Sequence, residues 1–181
     1  MDFKKFTMVF ISVAVISLVC GLIALSVIGV SVPAEENHLR KKQEAETEKE
    51  TKKQTDEFVE KQINIEGDIR ETLPTLNDGN EPQVTDLMHK MTHQKVVSDE
   101  KWGAIEMTPE NIAKLKQHVL ANNFKSKEFF LEILNRWETG NFDKADKDHN
   151  ALWEAQGGTV GIAYDLMTEK QEKQFIERNF R

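Results

Sequence analysis

From Phe6 to Val32 the chain runs 27 positions without a charged residue. At about 1.5 Å per residue a helix of that length extends about 40 Å, longer than the roughly 30 Å hydrocarbon core of a bilayer. Residues 6–32 are therefore expected to be a transmembrane helix, with a short N-terminus (1–5) before it. Secretory signal cores run only about 7–15 residues, which favours a retained anchor, although Val32-Pro33-Ala34 offers small residues to a peptidase. The single cysteine, Cys20, lies inside this run. Its predecessors Ser17, Leu18 and Val19 fit a lipobox poorly, so it reads as a small apolar residue of the helix. Lys4 and Lys5 precede the span while Glu35 and Glu36 follow it, and the positive-inside tendency then puts residues 1–5 in the cytoplasm. Arg40, Lys41 and Lys42 vote the other way. The expected location is the plasma membrane, single-pass, with the C-terminal part outside the cytoplasm.

An anchor that takes up so much of the apolar content leaves little for the middle of the chain. Residues 35–62 are nearly all Glu, Lys, Gln, Thr and Arg, and no apolar position recurs at helical spacing before Phe58. Mixed charges and good helix formers allow a solvated helix supported by i,i+4 pairs, but the apolar seam of a coiled coil is missing. Residues 33–83 are read as a helical or disordered stalk and linker. Phe58, Ile65, Ile69 and Leu76 outline an approximate stripe that Gly67 interrupts and that ends at Pro74 and Asn77-Asp-Gly-Asn-Glu-Pro82. That piece either packs on the main domain or stays apart from it.

Residues 84–181 carry the patterning of a small domain of about five short helices, so the fold class is mainly α. Val84, Leu87, Met88 and Met91 stand at i, i+3, i+4 and i+7 after Pro82. Thr108 caps a second helix, with Pro109 at its first position and Ile112, Leu115 and Val119 on its inner face. Ser126 is placed as the cap of a third, whose Phe129, Phe130, Ile133, Leu134 and Trp137 make the most apolar face and whose end is Gly140. Phe142, Ala145, His149, Leu152, Trp153 and Gln156 outline a fourth, stopped by Gly157-Gly158. Thr168-Glu-Lys-Gln171 reads as a capping box before Phe175, Ile176 and Phe180. Residues 95–107 and 159–167 fit neither period decisively; Val160, Ile162 and Tyr164 alternate like a strand but also suit one helical turn.

Charge narrows the function. With 24 Lys+Arg against 31 Asp+Glu and a net charge of −7, no basic stripe is present to grip phosphates, and nucleic acid is not expected as a partner. One cysteine makes no intrachain disulfide and no cysteine-based metal site. His89 and His93 are four apart, a spacing that brings two imidazoles to one ion, but both fall opposite the Val84-Leu87-Met91 face. They are read as solvated, and neither a metal nor a cofactor is expected. Asp146, Asp148 and Asn150 mimic a calcium loop, yet Ala151 stands where Gly is required and Gly157 where a bidentate Glu is required, so they read as an acidic helix start. Gly157-Gly158-Thr-Val-Gly161 lacks the lysine of a nucleotide loop and reads as a turn. No nucleophile motif occurs, and no catalytic residue is assigned.

Met91-Thr-His-Gln-Lys95, Lys101-Trp-Gly103, Met107-Thr108, His149-Asn150, Trp153 and Gln156-Gly-Gly-Thr-Val-Gly161 resemble the signature of an uncharacterised family of membrane-anchored proteins from Bacillus-type Gram-positive bacteria. The resemblance covers about residues 84–181 and carries no activity. It implies that His93, Lys95, Lys101, Trp102, Trp153, Gln156 and Gly157 belong to the family pattern. The expected protein is a non-enzymatic envelope protein whose helical domain binds a protein or peptide through His149, Trp153, Gln156, Gly157, Gly158, His93, Lys95 and Trp102, with the bilayer engaged by the anchor. The alternative is an envelope hydrolase or metal-dependent enzyme that uses His93 or His149.

Overall fold

The computed structural model describes residues 34–181, and their side chains from 41 onward. The expected anchor at 6–32 lies outside the described residues. No described helix is long and apolar enough to cross a membrane. Two compact units are present, Met1–Lys52 and Lys53–Arg181. In the first, the described residues belong to helix α1 (Ala34–Ile63), which follows the run of strong helix formers read as a stalk. Its exposed surface carries i,i+4 pairs such as Lys53–Glu57 at 3.7 Å, a contribution of a few tenths of a kcal/mol at most.

The second unit is mainly helical, with four short strands. After the end of α1 come β1 (Glu66–Arg70), α2 (Glu81–Thr92), β2 (Val96–Ser98), β3 (Trp102–Ile105), α3 (Pro109–Ala121), α4 (Lys127–Glu138), α5 (Ala145–Ala155), β4 (Ala163–Leu166) and α6 (Glu169–Phe180). The five expected helices are all present. The two undecided stretches contain β2, β3 and β4: β2 pairs antiparallel with β4, and β3 pairs parallel with β1. Strands this short carry no readable alternation, because their pairing is decided by what packs around them.

Local signals set the helix starts. Thr108 accepts from the Asn111 N–H at the head of α3, and Thr168 with Gln171 forms the expected capping box of α6. Ser126 departs from expectation, since its side chain makes no cap hydrogen bond. The carboxylate of Glu81 does that work instead, accepting from the backbone N–H groups of Lys125 at 2.6 Å and Ser126 at 3.1 Å. A distant side chain thereby ties the start of α4 to the start of α2.

The main core joins α2, α3, α4 and α5 through Val84, Met88, Met91, Leu115, Val119, Phe130, Leu134, Trp137 and Leu152. A second cluster gathers Ala104, Phe175 and Phe180 with Ile63, Ile65, Ile69 and Ile176 packed on it. The segment after α1 therefore packs on the domain: Ile65 and Ile69 cover α6. Parallel strands β1 and β3 approach so closely that a Cβ on Gly67 would lie 2.8 Å from the Gly103 nitrogen, and one on Gly103 would lie 2.8 Å from the Asp68 carbonyl oxygen. Both glycines also hold positive φ, +102° and +72°, so side chains are excluded there twice over.

Phe130 is 1 % exposed and packs against Phe124 with ring centroids 6.3 Å apart. Phe130→Ala is expected to destabilise the compact unit by about 3–5 kcal/mol, the usual loss for a fully enclosed phenylalanine. Thermal melting of the intact chain in detergent, followed by tryptophan near-ultraviolet dichroism, reads this directly. An unmoved transition would show that the α4 face does not hold the core.

Candidate functional site

Three of the five histidines meet at one point. His89 is on α2, His93 follows its last turn, and His149 is on α5. Packing α2 against α5 brings the rings of His89 and His149 to a centroid distance of 4.4 Å, His89 and His93 to 4.7 Å, and His93 and His149 to 5.4 Å. One ring nitrogen from each lies within 4.8 Å of the other two, the only such group of three found among the described residues. These are the side chains that could hold a metal ion.

The expectation that His89 and His93 are solvated is overturned. His93 is 2 % exposed, His149 is fully buried and His89 half-buried. The reason is that α2 is covered on both sides: its Val84-Leu87-Met91 side enters the main core, and its histidine side faces α5 and β3. Helical periodicity assigned one buried face and had no means of showing a second.

Burial keeps the three rings neutral. It is the first cause that lowers the His89 pKa to about 3, with the neighbouring His149 and Lys90 adding to it. His149 is lowered to about 4 by burial, opposed by its contact with the Gly161 carbonyl. His93, wholly enclosed, lies well below the ordinary value for the same first reason. Fixed neighbours orient the rings. The Gly103 carbonyl oxygen lies 2.5 Å from His93 Nδ1, so that nitrogen carries the proton and donates it. The Thr92 Oγ1 atom lies 2.8 Å from His149 Nδ1 and 2.6 Å from the His89 carbonyl oxygen. His149 Nε2 stands 3.0 Å from the Gly161 carbonyl oxygen and 3.4 Å from His89 Nε2.

Beneath this cluster lies Lys101, whose ammonium is buried and donates to the carbonyl oxygens of Gln62 at 2.9 Å, His93 at 3.3 Å and Val96 at 2.9 Å. Desolvation lowers its pKa to about 7. Gln62, at the end of α1, exchanges two hydrogen bonds with the backbone of Ser98. Neither role has a sequence signal, because a polar residue in a charged stretch gives no hint that the fold will close over it.

The remaining expected contact residues divide. Trp102 is 68 % exposed. Trp153 is half-buried, donates from Nε1 to the Val160 carbonyl at 2.7 Å, and leaves no room beside Gly158, where a Cβ would fall 2.3 Å from the indole. Gly157 continues the turn after α5. Gln156 is exposed and donates back to the Leu152 carbonyl. Lys95 pairs with Glu172 at 2.5 Å and sits 3.9 Å over the Phe142 ring, so it is committed within the fold. Asp148 is buried against Arg136 and accepts from Trp137 Nε1 at 3.0 Å, a tie between α4 and α5 beyond any helix-start effect. Asn150 closes two hydrogen bonds with the Ala163 backbone.

Two neighbouring loops roof the histidines. The Ser98 hydroxyl lies 2.9 Å from the Glu100 carbonyl oxygen and 2.8 Å from that of Gly161, which joins segment 99–102 to segment 160–165. On these segments Trp102, Val160, Ile162 and Tyr164 are all more than half exposed. Asp99, Glu100 and Asp165 beside them make no ion pair among the described residues. After burial, these acids Asp99 and Asp165 are what raise the Tyr164 pKa.

Residues 88–177 match the model of a family of unknown function (DUF6241), which takes in all three histidines and both loops. No curated protein and no solved structure matches the chain.

Histidines held neutral by burial make stability depend on pH in a defined direction. The folded pKa values are depressed, so the unfolded chain takes up protons first, and stability is fully present above about pH 6.5 and lost as pH falls toward 4. Chemical denaturation of the intact chain with a chelator present is expected to show a loss of about 1 kcal/mol per pH unit for each such ring over that window. The His149→Gln variant should show a shallower slope. A flat profile from pH 7 to 5 would mean that the rings are solvated.

Proposed function

We propose that this chain is a membrane-anchored envelope protein, akin to the Bacillus-type proteins its motifs resemble, whose domain binds a protein or peptide without chemistry of its own. The observation that carries the reading is the exposed edge over the histidines. Trp102 at 68 %, Val160 at 61 %, Ile162 at 53 % and Tyr164 at 51 % exposure stand on two segments that the Ser98 hydroxyl links, Trp102 beside Gly67 of β1 and the other three on the way into and along β4. Large apolar side chains left exposed on linked segments are what protein surfaces use as anchors for a partner. The unpaired Asp99, Glu100 and Asp165 around them favour a partner with basic residues beside its apolar ones.

This shifts the binding residues from those expected. Trp102 stays at the centre; Val160, Ile162 and Tyr164 join it; Gly157, Gly158 and Trp153 shape the loop that carries Val160. His93, His149 and Lys95 act from beneath. The hydrolase alternative needs an imidazole that a substrate can reach, and His93 and His149 are both enclosed. Anchoring rests on the 27 uncharged residues at 6–32, and the outward orientation on Lys4 and Lys5.

A photo-crosslinking amino acid placed at Ile162 or Tyr164, in cells that make the protein naturally, is expected to give an adduct of one defined mass. The same probe at Glu132, exposed on α4, should not. External protease added to wall-free cells should release the domain by cutting between Glu35 and Lys52. Equal labelling from both positions would sink the docking edge, and protection of the domain until the membrane is opened would reverse the orientation.

A further inference from the structure

We infer that His89, His93 and His149 form a binding site for one divalent first-row transition ion of the zinc class. The inference is independent of the docking edge. Zinc bound by histidine has metal–nitrogen distances of about 2.0–2.1 Å in tetrahedral geometry, which sets the nitrogens of neighbouring ligands a little over 3 Å apart. His89 Nε2 and His149 Nε2 stand 3.4 Å apart already, and the third ligand nitrogen is within 4.8 Å of both. Binding closes the remaining gap, from within 4.8 Å to a little over 3 Å, and completes the triangle.

The hydrogen bonds behind the rings allow the tautomers that an ion needs. His93 gives its Nδ1 proton to the Gly103 carbonyl, which leaves the Nε2 lone pair for a metal. The Thr92 hydroxyl has one proton and two neighbours, the His89 carbonyl oxygen and His149 Nδ1. Both contacts are satisfied together when the hydroxyl donates to the carbonyl and accepts from His149 Nδ1–H. In that tautomer His149 Nε2 holds the lone pair that faces His89 Nε2, and this is the form that binds an ion; without an ion the proton sits on Nε2 and is donated to the Gly161 carbonyl oxygen at 3.0 Å. Outer partners that fix the tautomer, a backbone carbonyl for one histidine and a hydroxyl for another, are the usual surroundings of metal-binding imidazoles.

An all-imidazole donor set selects zinc, cobalt, nickel or copper over calcium and magnesium, which require oxygen ligands. Two ligands come from α2 and its end, and the third from α5, so the ion cross-links two helices. It sits beneath Gly103 and Gly161, each adjacent in sequence to an exposed apolar residue of the roof. Half-buried His89 marks the side from which the ion enters.

The test uses the intact, untagged chain in detergent, stripped with chelator and titrated with zinc chloride. One ion per chain is expected, with a rise in melting temperature, since binding to the folded state alone stabilises it by mass action. Cobalt in place of zinc should give the visible absorption of a tetrahedral nitrogen site. His89→Ala is expected to weaken zinc by about 100-fold or more, beyond the 10–100-fold of a lost outer partner. His89→Gln serves as a second variant should the alanine change melt the chain. A His38→Ala, His118→Ala double variant removes the histidines outside the cluster and should still bind one zinc. The inference is overturned if the folded chain shows no saturable uptake, if magnesium competes on equal terms, or if the His89 variants bind zinc as the parent does.

Discussion

The compact unit is organised around a helix that is covered on two sides. Helix α2 buries Val84, Leu87, Met88 and Met91 in the main core, and lays Thr92, His89 and the adjoining His93 against α5 and β3. Covering the apolar side is what the hydrophobic effect would do in any such sequence. Covering the other side takes three imidazoles out of water, which is unfavourable unless their nitrogens find partners. Thr92, Gly103 and Gly161 supply those partners, Gly103 from strand β3 and Gly161 from the loop before β4. The histidine cluster is therefore one of the contacts that fix these segments, beside the strand pairing and the Ser98 and Asn150 hydrogen bonds.

Lys101 makes the same point from below. Its ammonium reaches three carbonyl oxygens, from the end of α1, the turn after α2 and strand β2. A buried charge is tolerated only with such compensation, and burial still lowers its pKa to about 7. Together with the paired hydrogen bonds of Gln62 and Ser98, it binds the last turn of a charged helix to the body of the domain. Gln62 stands well before the apolar patterning of residues 84–181 begins.

The exposed edge and the histidine cluster share their backbone. Gly103 follows Trp102 and gives its carbonyl to His93, while Gly161 lies between Val160 and Ile162 with its carbonyl at His149. A change in the state of the imidazoles is therefore felt by the chain that carries the apolar side chains. Glycine is required at Gly103 because β1 approaches too closely for a side chain. The edge is held in place from behind, by polar contacts, and this leaves its apolar groups free to face outward.

The five helices of the domain, their starts at Thr108 and Thr168 and the buried faces around Leu115, Phe130 and Phe175 were legible in the sequence. Each rests on neighbours three or four residues apart, and such contacts are settled within a turn. The helical character of 34–63 was legible for the same reason. The strands, the cap that Glu81 provides to α4, the burial of Gln62 and Lys101, and the meeting of His89 and His93 with His149 were not. Every one of these joins residues from 36 to 70 positions apart or depends on which second face of a helix is covered. Spacing along the chain tells which side chains share a face. Only the packing of one helix against another decides whether that face meets water or a third imidazole.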